Sequence, residues 1–197
     1  MRAVIHDVSE ELLAWRRRSG ADRWDEMWDG ELHVAPLPDL VHQDLQCGLL
    51  AWLRNHWAAV PGRRVFGEFN VSRPGLRAWT RDYRVPDLVL VTPARAHVVR
   101  RTHFAGGPDV VVELTRPGDE TDAKLPFYAA VGCGEIWVID RDTRRVAIHS
   151  GGGGDLALVR PSRDGWIRSA VGVELKTLRK RLAIRLAGDP ATRVLLP

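Results

Sequence analysis

Two acidic residues and one lysine in this chain could meet to do chemistry on a phosphodiester. Asp87 follows Pro86 and leads into the apolar run Leu88-Val89-Leu90-Val91. Glu113 ends a second run, Val110-Val111-Val112, and Lys124 opens the stretch Lys124-Leu125-Pro126-Phe127-Tyr128-Ala129-Ala130 that follows. Of 29 Lys and Arg residues only Lys124, Lys176 and Lys180 are lysine. Arginine serves a solvated surface as well, so a lysine kept beside Glu113 points to a need for a compact, tunable ammonium. If the strand starting at Asp87 lies antiparallel beside the one ending at Glu113, the two carboxylates converge on a hard cation. Mg²⁺ (or Mn²⁺) suits such a pair, because it binds through one or two carboxylates and keeps waters for a phosphate and a nucleophile. Lys124 would then orient or deprotonate the attacking water, or neutralise charge on the phosphoryl group that the metal polarises.

Each residue alone also fits a plainer role. Asp87 could cap a turn after Pro86, and Lys124 could be a solvated residue of a first helical turn. Glu113 is harder to dismiss, since a carboxylate continuing a Val-Val-Val strand is buried or partly buried, and a buried charge is costly without a partner. Asp109, in the second Pro-Asp dipeptide, faces the same way as Glu113 but lies about 13 Å from it at roughly 3.3 Å per residue, too far to share an ion. It is expected to order the start of that strand.

The elements that must position these groups follow from periodicity. Apolar residues at helical spacing mark helices over 9–18, capped by Ser9, and 41–59, stopped by Pro61-Gly62. Residues 23–28 and 31–34 flank Asp29-Gly30, the dipeptide favoured in a two-residue type I′ hairpin turn. A strand is expected over 65–71 and a connection over 72–81. The runs at 88–91, 110–113 and 136–139 read as strands buried on both faces, the centre of a sheet. A helix over 122–131 has Thr121 as candidate N-cap, and Pro126 is unusual in it outside the first turn. The segments 145–149, 156–159, 166–169 and 173–175 alternate with turns and read as an antiparallel meander. Its glycine run, residues 151–154, is read as a hairpin loop, since no Gly-Lys-Ser/Thr sequence follows to make a phosphate cradle.

With 197 residues, 45% of them hydrophobic, the chain is expected to form one domain, with a core over about 9–175 and a C-terminal extension over 176–197. It contains no membrane-spanning apolar run, and its first residues lack a secretory h-region, so a cytoplasmic location is expected. Cys47 and Cys133 form no metal or disulfide framework and read as small core residues. His97, His103 and His149 have no ligand spacing, and Trp24, Trp28, Trp52 and Trp137 fit core packing. A net charge of +4 and a pI near 9.6 are compatible with a polyanionic partner, although the short arginine clusters also read as solvated surface.

In order and spacing, Pro86-Asp87, then Pro108-Asp109-Val110-Val111-Val112-Glu113-Leu114-Thr115, then Lys124 with Tyr128, Gly132 and Glu135-Ile136-Trp137-Val138-Ile139-Asp140, resemble the putative-restriction-endonuclease family of the PD-(D/E)XK nuclease superfamily. The Asp29-Gly30-Glu31 hairpin and the helix opening with His42 also match. The resemblance implies an α/β (α+β) restriction-endonuclease-like fold, a mixed central sheet flanked by helices, with the N-terminal hairpin and C-terminal antiparallel meander described above. It implies Asp87 and Glu113 as metal ligands, Mg²⁺ or Mn²⁺ as cofactor and DNA as partner. Double-strand cleavage would favour a homodimer. Thr115 occupies the position of the signature lysine in E-X-K, and the resemblance implies that Lys124 replaces it from the following helix. Replacing Lys124 by Arg is then expected to impair the chemistry nearly as much as replacing it by Ala while leaving the fold intact. The resemblance also brings Glu31 and His42 towards the site, as an additional acid and a water- or phosphate-binding group. The loop Thr115-Arg116-Pro117-Gly118-Asp119-Glu120-Thr121 departs from the family's usual Ser-Pro-Ser. A competing reading is a catalytically silent nucleic-acid- or partner-binding module that kept the fold, motivated by the missing strand lysine and the modest charge. RNA or branched DNA would suit the same residues.

Overall fold

A computed structural model describes residues 3–152 and 155–197. Met1 and Arg2 of the N-terminal segment and Gly153 and Gly154 of the glycine run lie outside the described residues. The expected central sheet is present and mixed. Its strand order is Asp155–Leu158, Val146–Gly152, Glu135–Asp140, Val110–Thr115, Leu88–Val91 and Arg64–Gly67, and only the pair Val110–Thr115 with Glu135–Asp140 is parallel. That parallel pair requires a crossover, which the helix Thr121–Ala130 supplies.

Both faces of this sheet are covered, and the two-residue period of a strand sorts its side chains between them. Leu88, Leu90, Val110, Val112, Leu114, Trp137 and Ile139 form one core with Leu45, Leu49 and Trp52 of the helix Leu40–Trp52. Val89, Val91, Val111 and Ile136 form a second core with Phe127 and Tyr128 of the helix Thr121–Ala130. Asp87 and Glu113 are odd-numbered like Val89 and Val111. Parity therefore delivers both carboxylates to the face that carries Lys124.

The N-terminal sheet is built around the hairpin Glu26–Trp28 and Glu31–Val34, with Ala3–Ile5, Tyr83–Arg84, Val71–Ser72 and Phe104–Ala105. Asp29 and Gly30 have φ of 48° and 94°, the two positive values that a type I′ turn demands. Ser9 caps the helix Glu10–Ser19 by accepting from Leu12 N at 3.2 Å. Asp109 accepts from Thr92 N and Thr92 Oγ1, at 2.6 and 3.0 Å, and so orders the start of its strand as expected.

Several elements differ from the sequence reading. The strand expected over 65–71 stops at Gly67, because Glu68 takes a positive φ of 50° and turns the chain out; Val71–Ser72 then joins the N-terminal sheet. The helix expected over 41–59 ends in a π-helical turn, Leu53–Trp57. Thr121 is not a cap but the first residue of its helix, and its N–H is satisfied by Asp119 Oδ1 at 2.9 Å. Pro126 lies past the first turn, where it removes a backbone donor. The expected meander divides. Its first two strands extend the central sheet, whereas Ile167–Arg168 and Val173–Leu178 pair in a separate antiparallel sheet with Arg181–Leu186 and Asp189–Leu196. Residues beyond 176, expected as an extension, thus complete that sheet and place Leu182, Ile184 and Leu196 in the first core. Cys133 is buried but Cys47 is exposed, since it falls on the outer side of its helix. Trp24 is half-buried in a turn rather than in a strand.

The approach of the strand Val110–Thr115 to the end of the crossover helix is fixed by a glycine. A Cβ on Gly107 would sit 2.1 Å from Cys133 N and 2.2 Å from Gly132 C, both backbone atoms. Gly107→Ala is expected to cost about 3 kcal/mol or more, at or above the upper end of ordinary overpacking. Urea unfolding of the purified variant measures it, and an unchanged midpoint would show that the backbone there yields easily.

Candidate active site

Antiparallel pairing brings the two carboxylates together. The register Leu90↔Val110, Val89↔Val111 and Leu88↔Val112, carried one step further, sets Asp87 opposite Glu113. Leu114 N donates to Asp87 Oδ2 at 2.6 Å, and His42 Nε2 lies 2.9 Å from Asp87 Oδ1. His42 reaches this point because Asp39 caps its helix, accepting from His42 N at 3.1 Å, and so starts the helix at the site. One turn later Gln46 Nε2 donates to the Asp87 carbonyl at 3.1 Å, which holds helix and strand in register.

Lys124 lies in the first turn of its helix, yet it is only 2% exposed. Its Nζ is 2.6 Å from Glu26 Oε1 and 3.1 Å from each oxygen of Glu113. Tyr128, four residues on and so on the same helix face, donates to Glu113 Oε1 at 2.5 Å. Glu26 is itself held on both oxygens: Oε1 accepts from Val85 N at 3.0 Å and Oε2 from Trp28 Nε1 at 2.8 Å. Hairpin, central strand and crossover helix therefore meet at one ammonium group.

The hairpin does supply an acid, but a different one from that expected. Glu31 sits beside the turn, half-exposed, with its carboxylate 2.5 Å from His6 Nδ1. It takes no part in the Lys124 contacts; Glu26, on the other strand and 1% exposed, does. Local sequence carries no signal that selects Glu26 over Glu31, since Trp28 lies opposite Glu31 and both acids fall on one face of the hairpin. Asp87, Glu113, Lys124 and His42 are brought together as expected.

Charge at this point is unbalanced towards the negative. Burial, with Asp87 and Glu26 nearby, pushes the Glu113 carboxyl up to about 7, although Lys124 and the Tyr128 hydroxyl pull the other way. Burial and the Glu113 charge raise the Tyr128 hydroxyl well above its ordinary value, so it remains a donor. At His42 burial disfavours the charged ring, but the hydrogen bond and charge of Asp87 outweigh it and raise the ring's pKa. Two carboxylates, Glu26 and Glu113, contact Lys124, and the charge of Asp87 lies near Glu113. Among the described residues no group of three or more His, Cys, Asp or Glu is arranged to hold a metal. Asp87 and Glu113 are the pair that could hold Mg²⁺, which binds through one or two carboxylates.

His42, Asp87, Glu113 and Lys124 line a cleft of about 420 Å³, which Arg116, Arg141 and the loop between Thr115 and Thr121 also line. Thr115, at the position of the signature lysine, is spent on that loop: its hydroxyl and the Arg116 N–H both donate to Asp119 Oδ2, at 2.8 and 2.9 Å. Burial works against the Asp119 charge, but these bonds and the one from Thr121 hold its carboxyl below the usual range.

Residues 9–178 match the sequence profile of the Uma2 family, described as "Putative restriction endonuclease". Among solved structures, a nuclease from Anabaena variabilis ATCC 29413, itself described as putative and belonging to DUF820, superposes with a TM-score of 0.54 at 17% identity. The match covers 71% of this chain and 82% of that one. At such identity the likeness shows a shared fold. No curated protein matches the chain. Among the described residues no helix is long and apolar enough to cross a membrane.

Lys124 is buried between two carboxylates, so substitutions there are expected to lower stability. Lys124→Met should cost about 3–5 kcal/mol at pH 8, because it removes the ammonium between the buried carboxylates of Glu26 and Glu113 and leaves their charges uncompensated. The Glu113 carboxyl, already raised to about 7 in the folded protein, would make that penalty shrink as pH falls and the carboxylate protonates. Denaturant titrations at pH 8 and pH 5 measure both effects, and a penalty that grew at the lower pH would contradict the pairing.

Proposed function

The chain belongs to the Uma2 family of putative restriction endonucleases, and from that premise we propose that it is a cytoplasmic, Mg²⁺- or Mn²⁺-dependent endonuclease that hydrolyses DNA phosphodiester bonds. The observation that carries this reading is the buried Lys124 ammonium held between Glu26 and Glu113, with Asp87 near Glu113, in the lining of a cleft. Asp87 and Glu113 would hold the ion, which when bound polarises a phosphoryl oxygen and favours ionisation of a water.

The chain's own side chains do the remaining work. Three carboxylate oxygens lie within 3.1 Å of Lys124 Nζ, so its part is that of a fixed positive charge rather than a base. A charge pre-set where negative charge develops stabilises the transition state without reorganising at the moment of reaction. Glu26 and Tyr128 fix the Lys124–Glu113 pair. His42, with Nε2 tied to Asp87, presents its other ring nitrogen for a water or a phosphate oxygen. Cutting both strands would call for two such sites, as in a two-fold homodimer.

One observation favours a second reading, a nucleic-acid-binding module without turnover. Every carboxylate oxygen of Asp87 and Glu113 already has a partner within the protein. Binding that falls with salt and ignores divalent ions would be its signature.

Purified protein incubated with supercoiled and linear DNA should cleave with Mg²⁺ or Mn²⁺ and stop in EDTA. Glu113→Gln, which removes an ion-holding charge, and Lys124→Arg, whose planar guanidinium cannot take the compact ammonium's place between Glu26 and Glu113, should each lower the rate by about 10²-fold or more, on the order of losing one transition-state stabilising group. No cleavage of any DNA form, together with no calorimetric metal binding that Glu113→Gln abolishes, would overturn the nuclease reading.

A further inference from the structure

Two arginines that line the cleft have no part in the chemistry above. The strands Val110–Thr115 and Glu135–Asp140 run parallel with Thr115 opposite Asp140, so both end at the same edge of the sheet. Arg116 and Arg141 are the residues that follow, and Arg141 N donates to the Thr115 carbonyl at 2.9 Å. Both side chains line the cleft with Asp87, Glu113 and Lys124. Arg116 is exposed. The Arg141 side chain is 13% exposed, and its Nη2 lies 2.7 Å from Asp39 Oδ2.

That ion pair leaves the guanidinium incompletely satisfied. Arg141 Nε is buried and has no hydrogen-bond partner among the described residues, its other acidic neighbour, Asp142 Oδ1, being 3.7 Å away. A buried donor left unpaired is costly, and in native proteins such a group calls for an explanation. Asp39 is held in place, because its other oxygen caps the helix that carries His42; it anchors the guanidinium while leaving donors over. The acids of the loop between Thr115 and Thr121 are already engaged. Asp119 accepts from the loop backbone, and Glu120 lies 3.1 Å from His33 Nδ1.

We propose that Arg116 and Arg141 form a subsite for a DNA backbone phosphate adjacent to the one attacked. The arginine fork matches a phosphate in two parallel hydrogen bonds, and Arg141 lines the same cleft as His42 and Asp87. The subsite orients the strand and carries no sequence information, as backbone contacts do. This assignment rests on the nuclease reading, but it is tested without turnover.

The test is binding of a short fluorescent DNA duplex of mixed sequence, followed by anisotropy in EDTA across a salt series. Removing one phosphate-binding charge lowers the slope of log K against log salt by about 0.9. Because the two arginines share one phosphate, Arg116→Gln and Arg141→Gln should each reduce the slope, by about that amount when combined, and weaken binding equally for unrelated sequences. Arg116→Gln, at an exposed position, carries the test by itself if Arg141→Gln fails to fold. Wild-type slope in the variants, or no binding by the wild type at low salt, overturns the subsite. The nuclease reading stands or falls separately on metal-dependent cleavage: a wild type that cuts while the variants keep its salt slope has the function without this subsite.

Discussion

Segments far apart in the sequence meet at the Lys124 ammonium: the hairpin through Glu26, the central strand through Glu113 and the crossover helix through Lys124 itself. Taking such charges out of water costs several kcal/mol per ion, and only close opposite charge with further hydrogen bonds offsets it. The surroundings of the site follow from that requirement. Trp28 and the backbone of Val85 satisfy Glu26, and Tyr128 satisfies Glu113. A hairpin that docked one residue out of register would turn Glu26 to the opposite face of its sheet and leave Lys124 with one acid fewer.

The same constraint explains how a lysine can leave the strand without leaving the site. In this chain the strand position of the family signature is Thr115, whose hydroxyl helps Asp119 to shape the loop that leads into the helix. That loop returns the chain so that a helical side chain reaches back to the carboxylate the strand presents. The cost is carried locally. Glu113, with Asp87 and Glu26 near it, binds its proton far more readily than an ordinary carboxylate, and a cation in the cleft would relieve that strain.

Much of this was legible in the sequence where the information is local. Asp29-Gly30 specified its turn and Ser9 its cap, and the apolar runs after Asp87 and before Glu113 marked two strands whose antiparallel pairing would bring those carboxylates together. What was not legible depended on pairing at long range. Nothing local distinguishes Glu26 from Glu31 as the acid that meets Lys124, because the choice is made when the hairpin docks against Val85. Likewise the segments after residue 145 look like one meander, and only tertiary packing assigns Val146–Gly152 to the central sheet and Val173–Leu178 to another. The break at Glu68 was hidden for a similar reason: a non-glycine residue in a left-handed conformation leaves no mark in apolar periodicity.

The most direct measurement is a crystal structure of the protein soaked in Mn²⁺, with anomalous scattering used to locate the ion. The expected result is a single strong peak in the cleft within coordination distance of Asp87 and Glu113, with Lys124 still bound to Glu26. A cleft that stays without metal at saturating Mn²⁺, or an ion held away from both carboxylates, would contradict the account.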